Sequence, residues 1–239
     1  MVLKNKNMNN ENSEQTSSNI NAKHSISNSK SNNYDLKTHW NNAYENSSIN
    51  KLGWYEENPI PSLQLIKKSG IDKSASILNV GAGVTTLIDE LINQDFKNIF
   101  VNDISPIALE KLKKRIGSHR ENIQWIVDDL TNPTKLNKLE KIDLWHDRAV
   151  LHFLNNDKEQ DSYFNLLRKV VNQNGFVIIA AFNLNGATRC SGLPVHRYDE
   201  KMIQEKIGSG FKLVESFNYT YTMPSKDTRE YIYTLFKRI

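Results

Sequence analysis

Beyond residue 74 the chain alternates between short apolar runs and longer stretches with an amphipathic repeat. The apolar runs, at 75–80, 98–102, 123–127, 142–146 and 175–182, are near-continuous, as strands buried on both faces are. Between them lie "VTTLIDELINQ" (84–94), "SPIALEKLKKRIG" (105–117) and the stretch 157–172, all with helical spacing of apolar positions. Ser105 before Pro106 has the form of an N-cap followed by proline at the first helical position. Gly117 and Gly175 stand where helix C-terminal glycines are expected. The alternation predicts an α/β fold: a mostly parallel sheet covered by helices on both faces.

The rhythm breaks at both ends. "FKLVESFNYTYTM" and "REYIYTLFKRI", joined by "PSKDT", read as an antiparallel hairpin closing one edge of the sheet. Ahead of the alternating region come the aromatics Trp40, Tyr44, Trp54 and Tyr55, then Pro59 and Pro61. They predict a short helix, a loop, and a second helix from about Pro61 to Lys68. Residues 1–33 are Asn- and Ser-rich with almost no large apolar side chains. They read as a disordered tail outside a domain spanning 34–239. The tail has no apolar core of a secretory signal, and its Glu11 and Glu14 without arginine are unlike a transit peptide.

Composition narrows the picture further. With 239 residues, one domain with a sizeable core is expected, and a net charge of +4 does not demand nucleic acid. The basic stretch "KLKKRIGSHR" contains Glu110 and has helical spacing, so it reads as a solvated face. A single cysteine, Cys190, excludes an internal disulfide and fits a reducing compartment. With scattered histidines it offers no metal-ligand spacing, so no metal is expected. No apolar run is long enough to span a membrane. The expectation is a cytoplasmic protein, monomeric or weakly dimeric, with neither nucleic-acid nor membrane partners.

Candidate chemistry starts at "ILNVGAGVTTL", residues 77–87, where an apolar strand passes through Gly81 and Gly83 into a helix. Such a turn lets the backbone approach a nucleotide-like ligand where a Cβ would collide. Asp103 ends the second strand 22 residues after Gly81, where a carboxylate can accept two hydrogen bonds from ribose hydroxyls. The third strand ends in "IQWIVDDLT". One of Asp128 and Asp129 can accept an adenine amine there, and Asp129 is favoured because it directly precedes the apolar Leu130.

"ILNVGAGVTT", "VNDIS", "DDLT" and "IDLWHDRAVLHFL" resemble, in order and spacing, the successive motifs of class I S-adenosylmethionine-dependent methyltransferases, over about residues 38–239. More distantly, "HWNNAYENSSINKLGWYEENP" is similar to the opening segment of the methyltransferase-like lysine methyltransferases. The resemblance implies a Rossmann-like three-layer α/β/α sandwich whose seven-stranded sheet takes its last strand antiparallel. It also implies S-adenosylmethionine as cofactor, with Asn79, Gly81, Gly83, Asp103, Ile104, Asp129, Leu130 and Asp147 as its contacts. The chain departs from the family twice. Asn79 replaces the usual acidic residue, and Thr85 or Thr86 stands where a third glycine belongs.

Methyl transfer from a sulfonium is a displacement at carbon. The protein mainly aligns the nucleophile, and a base is needed only when the nucleophile arrives protonated. In "WHDRAVLHFL", Asp147 and Arg148 fall at the carboxyl edge of the fourth strand. Asp147 can orient an amine or bind the cofactor's amino group, and Arg148 can hold a substrate carboxylate. His146, like His152, is a candidate base; an Asp–Arg neighbour pair is also often only structural. "ATRCSGLPVHRYD" forms a rim loop in which Arg189 is a candidate substrate contact and Cys190 reads as a packed thiol. Trp40, Trp54 and Tyr55 are candidate substrate contacts in a lid, although packing on the sheet edge explains them equally well. The expected function is methyl transfer to a small molecule, with protein lysine as the alternative acceptor. A nicotinamide-dependent oxidoreductase and a non-catalytic cofactor-binding docking module are the rivals from other classes.

Overall fold

The computed structural model describes residues 35–239. The reading of residues 1–33 as a tail lies outside the described residues. The chain begins with α1 (Leu36–Glu45) and α2 (Ile60–Ser69). The alternation follows: β1 (Ser76–Val80), α3 (Leu87–Asn93), β2 (Asn98–Asp103), α4 (Pro106–Ile116), β3 (Ile123–Val127), β4 (Ile142–Arg148), α5 (Asp157–Val170) and β5 (Val171–Phe182). A two-residue hairpin, β6 (Arg189–Cys190) with β7 (Leu193–Pro194), and α6 (Glu200–Ile207) lead to the long pair β8 (Phe211–Thr222) and β9 (Thr228–Arg238).

Seven strands form one sheet in the order β3-β2-β1-β4-β5-β9-β8. The first five are mutually parallel, while β9 runs antiparallel to both β5 and β8. The terminal hairpin thus closes one edge, and its last strand is inserted inside its first. Strand pleating sends alternate side chains to opposite faces. In β1, Ile77 joins the core under α3 and α4, and Leu78 joins the core under α5 and α6. This gives the three-layer α/β/α arrangement. Among the described residues, no helix is long and apolar enough to cross a membrane.

Local signals place most boundaries. Ser105 Oγ accepts from Ala108 N at 3.1 Å and caps α4, with Pro106 in its first turn. Three expectations need correction. α3 starts at Leu87 rather than 84, because Val84 and Thr85 turn their carbonyls to Arg115, at 2.6 and 2.5 Å. Gly175 is no helix cap: α5 passes directly into β5, and Gly175 sits in that strand after Asn174 at φ 64°. There a Cβ would press on the carbonyls of Asn172 and Asp143, so close backbone approach is what requires glycine. α6 was not anticipated, although Asp199 caps it by accepting from Met202 N at 2.8 Å.

Candidate functional site

A cleft runs along the carboxyl edges of β3, β2, β1 and β4, the edge where open α/β sheets bind ligands. It encloses about 800 Å3 of empty space, its open mouth included. Asp129 and Leu130 line one end, Asp103 and Ile104 follow, and Gly81 and Arg148 continue the floor. Trp40 on α1 and Trp54 on the loop after it form the roof, with their rings edge-on at 5.4 Å. Trp40 also meets Phe153, which lines the floor, at 5.0 Å.

The glycine turn is also required by the protein's own packing. Gly81 and Gly83 have φ of +54° and +55°, a region that strains any other residue. A Cβ at Gly81 would collide with Val150 Cγ2, and one at Gly83 with the Tyr44 hydroxyl. The close approach comes from the protein's own side chains. Gly81 still lines the cleft; Gly83 acts through its N–H, which donates to Asp103 Oδ2 at 2.7 Å. The threonines in place of a third glycine fasten the turn. Thr85 Oγ1 accepts from Leu87 N at 3.2 Å, and Thr86 Oγ1 donates to the Glu56 carbonyl at 3.0 Å.

Each carboxylate at the first end of the cleft has a distinct duty. Asp103 is buried and accepts one backbone N–H on each oxygen, from Gly83 and from Ser105, the latter at 2.8 Å. Burial pushes its pKa up to about 6 against the pull of those donors. Asp128 is consumed by structure. Its oxygens accept from the N–H groups of Thr134, Lys135 and Leu136 and from Thr134 Oγ1, at 2.8–3.0 Å. Its partial burial is outweighed by these donors, which hold the carboxyl below its usual range. Asp129 gives only Oδ1 to its neighbours, accepting from Thr131 N and Oγ1 at 2.7 and 2.8 Å. Its second oxygen accepts no hydrogen bond among the described residues.

A smaller cavity beside the cleft is lined by Asn79, Thr85, Glu56, His146 and Arg148. His146 Nδ1 lies 3.2 Å from Asn79 Oδ1, and Nε2 lies 2.9 Å from Ser62 Oγ. With the amide oxygen accepting, Nδ1 carries the proton and Nε2 accepts from the serine. Burial, reinforced by the Arg148 charge, drives the His146 pKa down to about 3, so the ring stays neutral. Asn79 Nδ2 is buried without a partner. Such a donor suits a ligand carboxylate, which the acidic residue usual at this position could not bind.

Asp147 is not brought to the cleft. It is fully buried on the face of the sheet opposite His146 and Arg148, accepting from Val150 N (3.0 Å), Leu151 N (3.1 Å) and the Tyr163 hydroxyl (2.7 Å). Burial raises its pKa to about 7 against these donors. His152 is buried too, with Nδ1 accepting from Phe182 N at 3.2 Å and its pKa pushed down to about 3 by burial and by Arg148.

Arg148 is the charged centre of the cleft's second end. Its Nε lies 2.8 Å from Glu56 Oε2, with the two side chains 10% and 8% exposed. Nε also faces the Tyr233 hydroxyl at 3.1 Å, and Nη1 donates to the Trp54 carbonyl at 3.1 Å. Tyr55 is half-buried, lines the smaller cavity, and its carbonyl accepts from the Tyr221 hydroxyl. Arg189 is exposed and folds onto the carbonyl of Gly192 in its own hairpin, so it does not reach the cleft. Cys190 does line the cleft; burial pushes its thiol up to about 11. Sequence reasoning missed Glu56 and the tyrosines of the hairpin. Residues 219, 221, 231 and 233 alternate as strand residues on one face do, but nothing local names the arginine that Tyr221, Tyr231 and Tyr233 surround. Among the described residues, no group of three or more His, Cys, Asp or Glu side chains could hold a metal ion.

Residues 78–177, from β1 into β5, match a family model described as a methyltransferase domain. A zebrafish (Danio rerio) protein named EEF1A lysine methyltransferase 2 is 28% identical over 161 residues, covering 62% of this chain and 68% of the relative. Among solved structures, an S-adenosylmethionine-dependent methyltransferase from Anabaena variabilis superposes with a TM-score of 0.69 at 13% identity, covering 85% of this chain and 93% of the other. The N-methyltransferase NodS from Bradyrhizobium japonicum, in complex with S-adenosyl-L-homocysteine, gives 0.60 at 17% identity, covering 84% and 98%. At those identities the two structures speak for the fold alone.

Proposed function

We propose that this chain, which belongs to the class I S-adenosylmethionine-dependent methyltransferases and uses S-adenosylmethionine as its cofactor, methylates a small molecule. The observation that carries the choice of acceptor is the roof. Trp40 and Trp54 close over the cleft against Phe153, which favours an enclosed guest over a side chain reaching in from a protein surface.

The residues present fit the cofactor. Asp129 Oδ2 would take the adenine amine, with Leu130 and Ile104 against the ring. Asp103 would accept from the ribose hydroxyls, and the unpartnered Nδ2 of Asn79 would donate to the amino-acid carboxylate. When bound, S-adenosylmethionine supplies an electrophilic methyl carbon whose bond to the positive sulfur breaks as the acceptor's bond forms, leaving a neutral thioether. The chain's part is orientation and exclusion of water. His146 and His152 stay neutral and are walled in, and Cys190 keeps its proton at neutral pH, so the acceptor brings a nucleophile with a free lone pair. Asp147 acts as a positioning residue. It fixes the backbone of Val150, whose side chain stands over Gly81.

The zebrafish relative favours a second reading, a protein lysine acceptor. A lysine calls for an acidic rim near Asp147. That residue is fully buried, and the charged group at that end of the cleft is Arg148, with Glu56 already paired to it.

Calorimetric titration with S-adenosylmethionine, S-adenosylhomocysteine and NADH, with Asp103→Ala as control, tests the class. A radiolabelled-methyl screen over the metabolite and protein fractions of an extract then tests the acceptor. Binding of the first two ligands, lost in the variant, and label in the metabolite fraction are expected. Label confined to protein moves the assignment to the lysine reading. Binding of NADH alone favours the oxidoreductase, and cofactor binding without turnover in any fraction favours the docking module.

A further inference from the structure

The buried guanidinium of Arg148 is incompletely satisfied. Nε serves Glu56 and Tyr233 and Nη1 serves the Trp54 carbonyl, yet Nη2 is buried without any partner. The rings of Tyr221 and Tyr231 pack on the group, with centroids 4.9 and 5.1 Å from Cζ. The two rings stand edge to face, at 81° to one another, and wall the guanidinium on two sides. The two unpaired N–H groups of Nη2 carry a desolvation cost that an incoming anion removes. Stability alone gives no reason to leave that donor unpaired.

Its place on the sheet says which ligand it serves. Asp129 and Asp103 end β3 and β2, whereas Arg148 ends β4, on the far side of β1. Two or three strand spacings of about 4.8 Å put it roughly 10–14 Å from the carboxylates assigned to the adenosine. The nearer walls, Trp40, Trp54, Phe153 and Cys190, are uncharged; the other charges are Glu56 on Nε and the carboxylates of Asp103, Asp128 and Asp129 toward the adenosine end. A guest without an acceptor at Arg148 would leave Nη2 unpaired, and a carboxylate would satisfy it with a charge-assisted hydrogen bond.

We propose that Arg148 seats a carboxylate of the acceptor on Nη2, while Glu56 holds the guanidinium in place through Nε. The assignment rests on the methyltransferase reading above and specifies its substrate as a flat, largely apolar molecule bearing one carboxylate. Glu56 stays on Nε and leaves Nη2 to the guest, but its charge opposes an incoming carboxylate. Removing its charge strengthens anion binding, the reverse of what a purely structural ion pair would do.

The test uses the full chain loaded with S-adenosylhomocysteine, titrated with benzoate and with benzamide and followed by tryptophan fluorescence, since Trp40 and Trp54 wall the cleft. Benzoate is expected to bind at least about tenfold more tightly than benzamide, as a charge-assisted contact requires. Glu56→Gln should tighten benzoate by about tenfold and leave benzamide unchanged. Arg148→Gln should abolish the preference without changing affinity for S-adenosylhomocysteine. Equal binding of the two probes, or no gain for benzoate in Glu56→Gln, overturns the proposal. So does an Arg148→Gln variant that loses affinity for S-adenosylhomocysteine but not for 5′-methylthioadenosine, because the carboxylate would then be the cofactor's own. Failure of the wild type to bind S-adenosylhomocysteine at all would instead sink the methyltransferase reading. Glu56→Gln keeps the test decisive if Arg148→Gln does not fold.

Discussion

Tyr44 stands over Gly83 so closely that any Cβ there would collide with its hydroxyl, which itself accepts from Trp54 Nε1 at 3.1 Å. The contact ties the roof of the cleft to the turn in its floor. Gly83→Ala combines this collision with a left-handed backbone, so a loss of about 2–4 kcal/mol is expected. Thermal melting should show it, and Tyr44→Phe in the same chain should recover part of the loss. If Gly83→Ala melts like the wild type, the contact does not hold the roof.

Cofactor affinity should depend on pH through Asp103. Its pKa is raised to about 6 in the free protein, and the ionised carboxylate is the form that accepts from ribose hydroxyls. Affinity for S-adenosylhomocysteine should fall as pH drops through 6, by about tenfold per unit well below it. Asp103→Asn should bind weakly with a flat profile. A wild-type profile that stays flat from pH 5 to 8 would remove Asp103 from the ribose site.

Asp147 makes a prediction about stability. Its folded pKa lies near 7, well above that of an unfolded aspartate, so the folded chain holds a proton that the unfolded chain releases. The stabilising contribution is complete below about pH 4 and is lost as pH rises through 7. Asp147→Asn should flatten this part of the stability–pH curve, measured by urea midpoints. Asp103, raised to about 6, adds the same sign at slightly lower pH and remains in the variant.

Tyr163 donates to Asp147 at 2.7 Å and accepts from Trp145 Nε1 at 3.1 Å, so one hydroxyl joins two buried polar groups. Tyr163→Phe leaves both short of a partner and should cost about 2–4 kcal/mol, read as a shift in denaturant midpoint. Its affinity for S-adenosylhomocysteine should change little, because none of the three residues lines the cleft.

Trp40→Ala opens the roof by deleting the ring contacts with Trp54 and Phe153. Two aromatic pairs are worth about 1–3 kcal/mol together, so dissociation of S-adenosylhomocysteine should quicken by roughly tenfold or more in a stopped-flow displacement. An unchanged rate would mean that the cleft does not close over its ligand.

Much of this site was legible in the chain. Ser105 and Pro106 announce α4, and the runs ending at Asp103 and Asp129 bring both carboxylates to one edge, because parallel strands all present their carboxyl ends there. What could not be read was how neighbouring residues divide between the two faces. Asp147 and Arg148 are adjacent, so the pleat sends them apart: Asp147 to Tyr163 under α5, Arg148 to the tyrosines of the hairpin. Which of the two reaches the cleft depends on where the helices pack.

The same limit hides Glu56 and Tyr44. Nothing in "WYEENP" names Arg148 as the partner of Glu56, and the two glycines of the turn look like ligand clearance until Val150 and Tyr44 are found in the space. The sequence by itself determined the strand and helix periods, the caps and the acidic strand ends, because these depend on local backbone geometry and on burial summed over short windows. Only the tertiary structure decided the ion pair, the roof and the direction of each side chain at the end of β4. These are contacts between residues on different elements, set by strand order and helix packing.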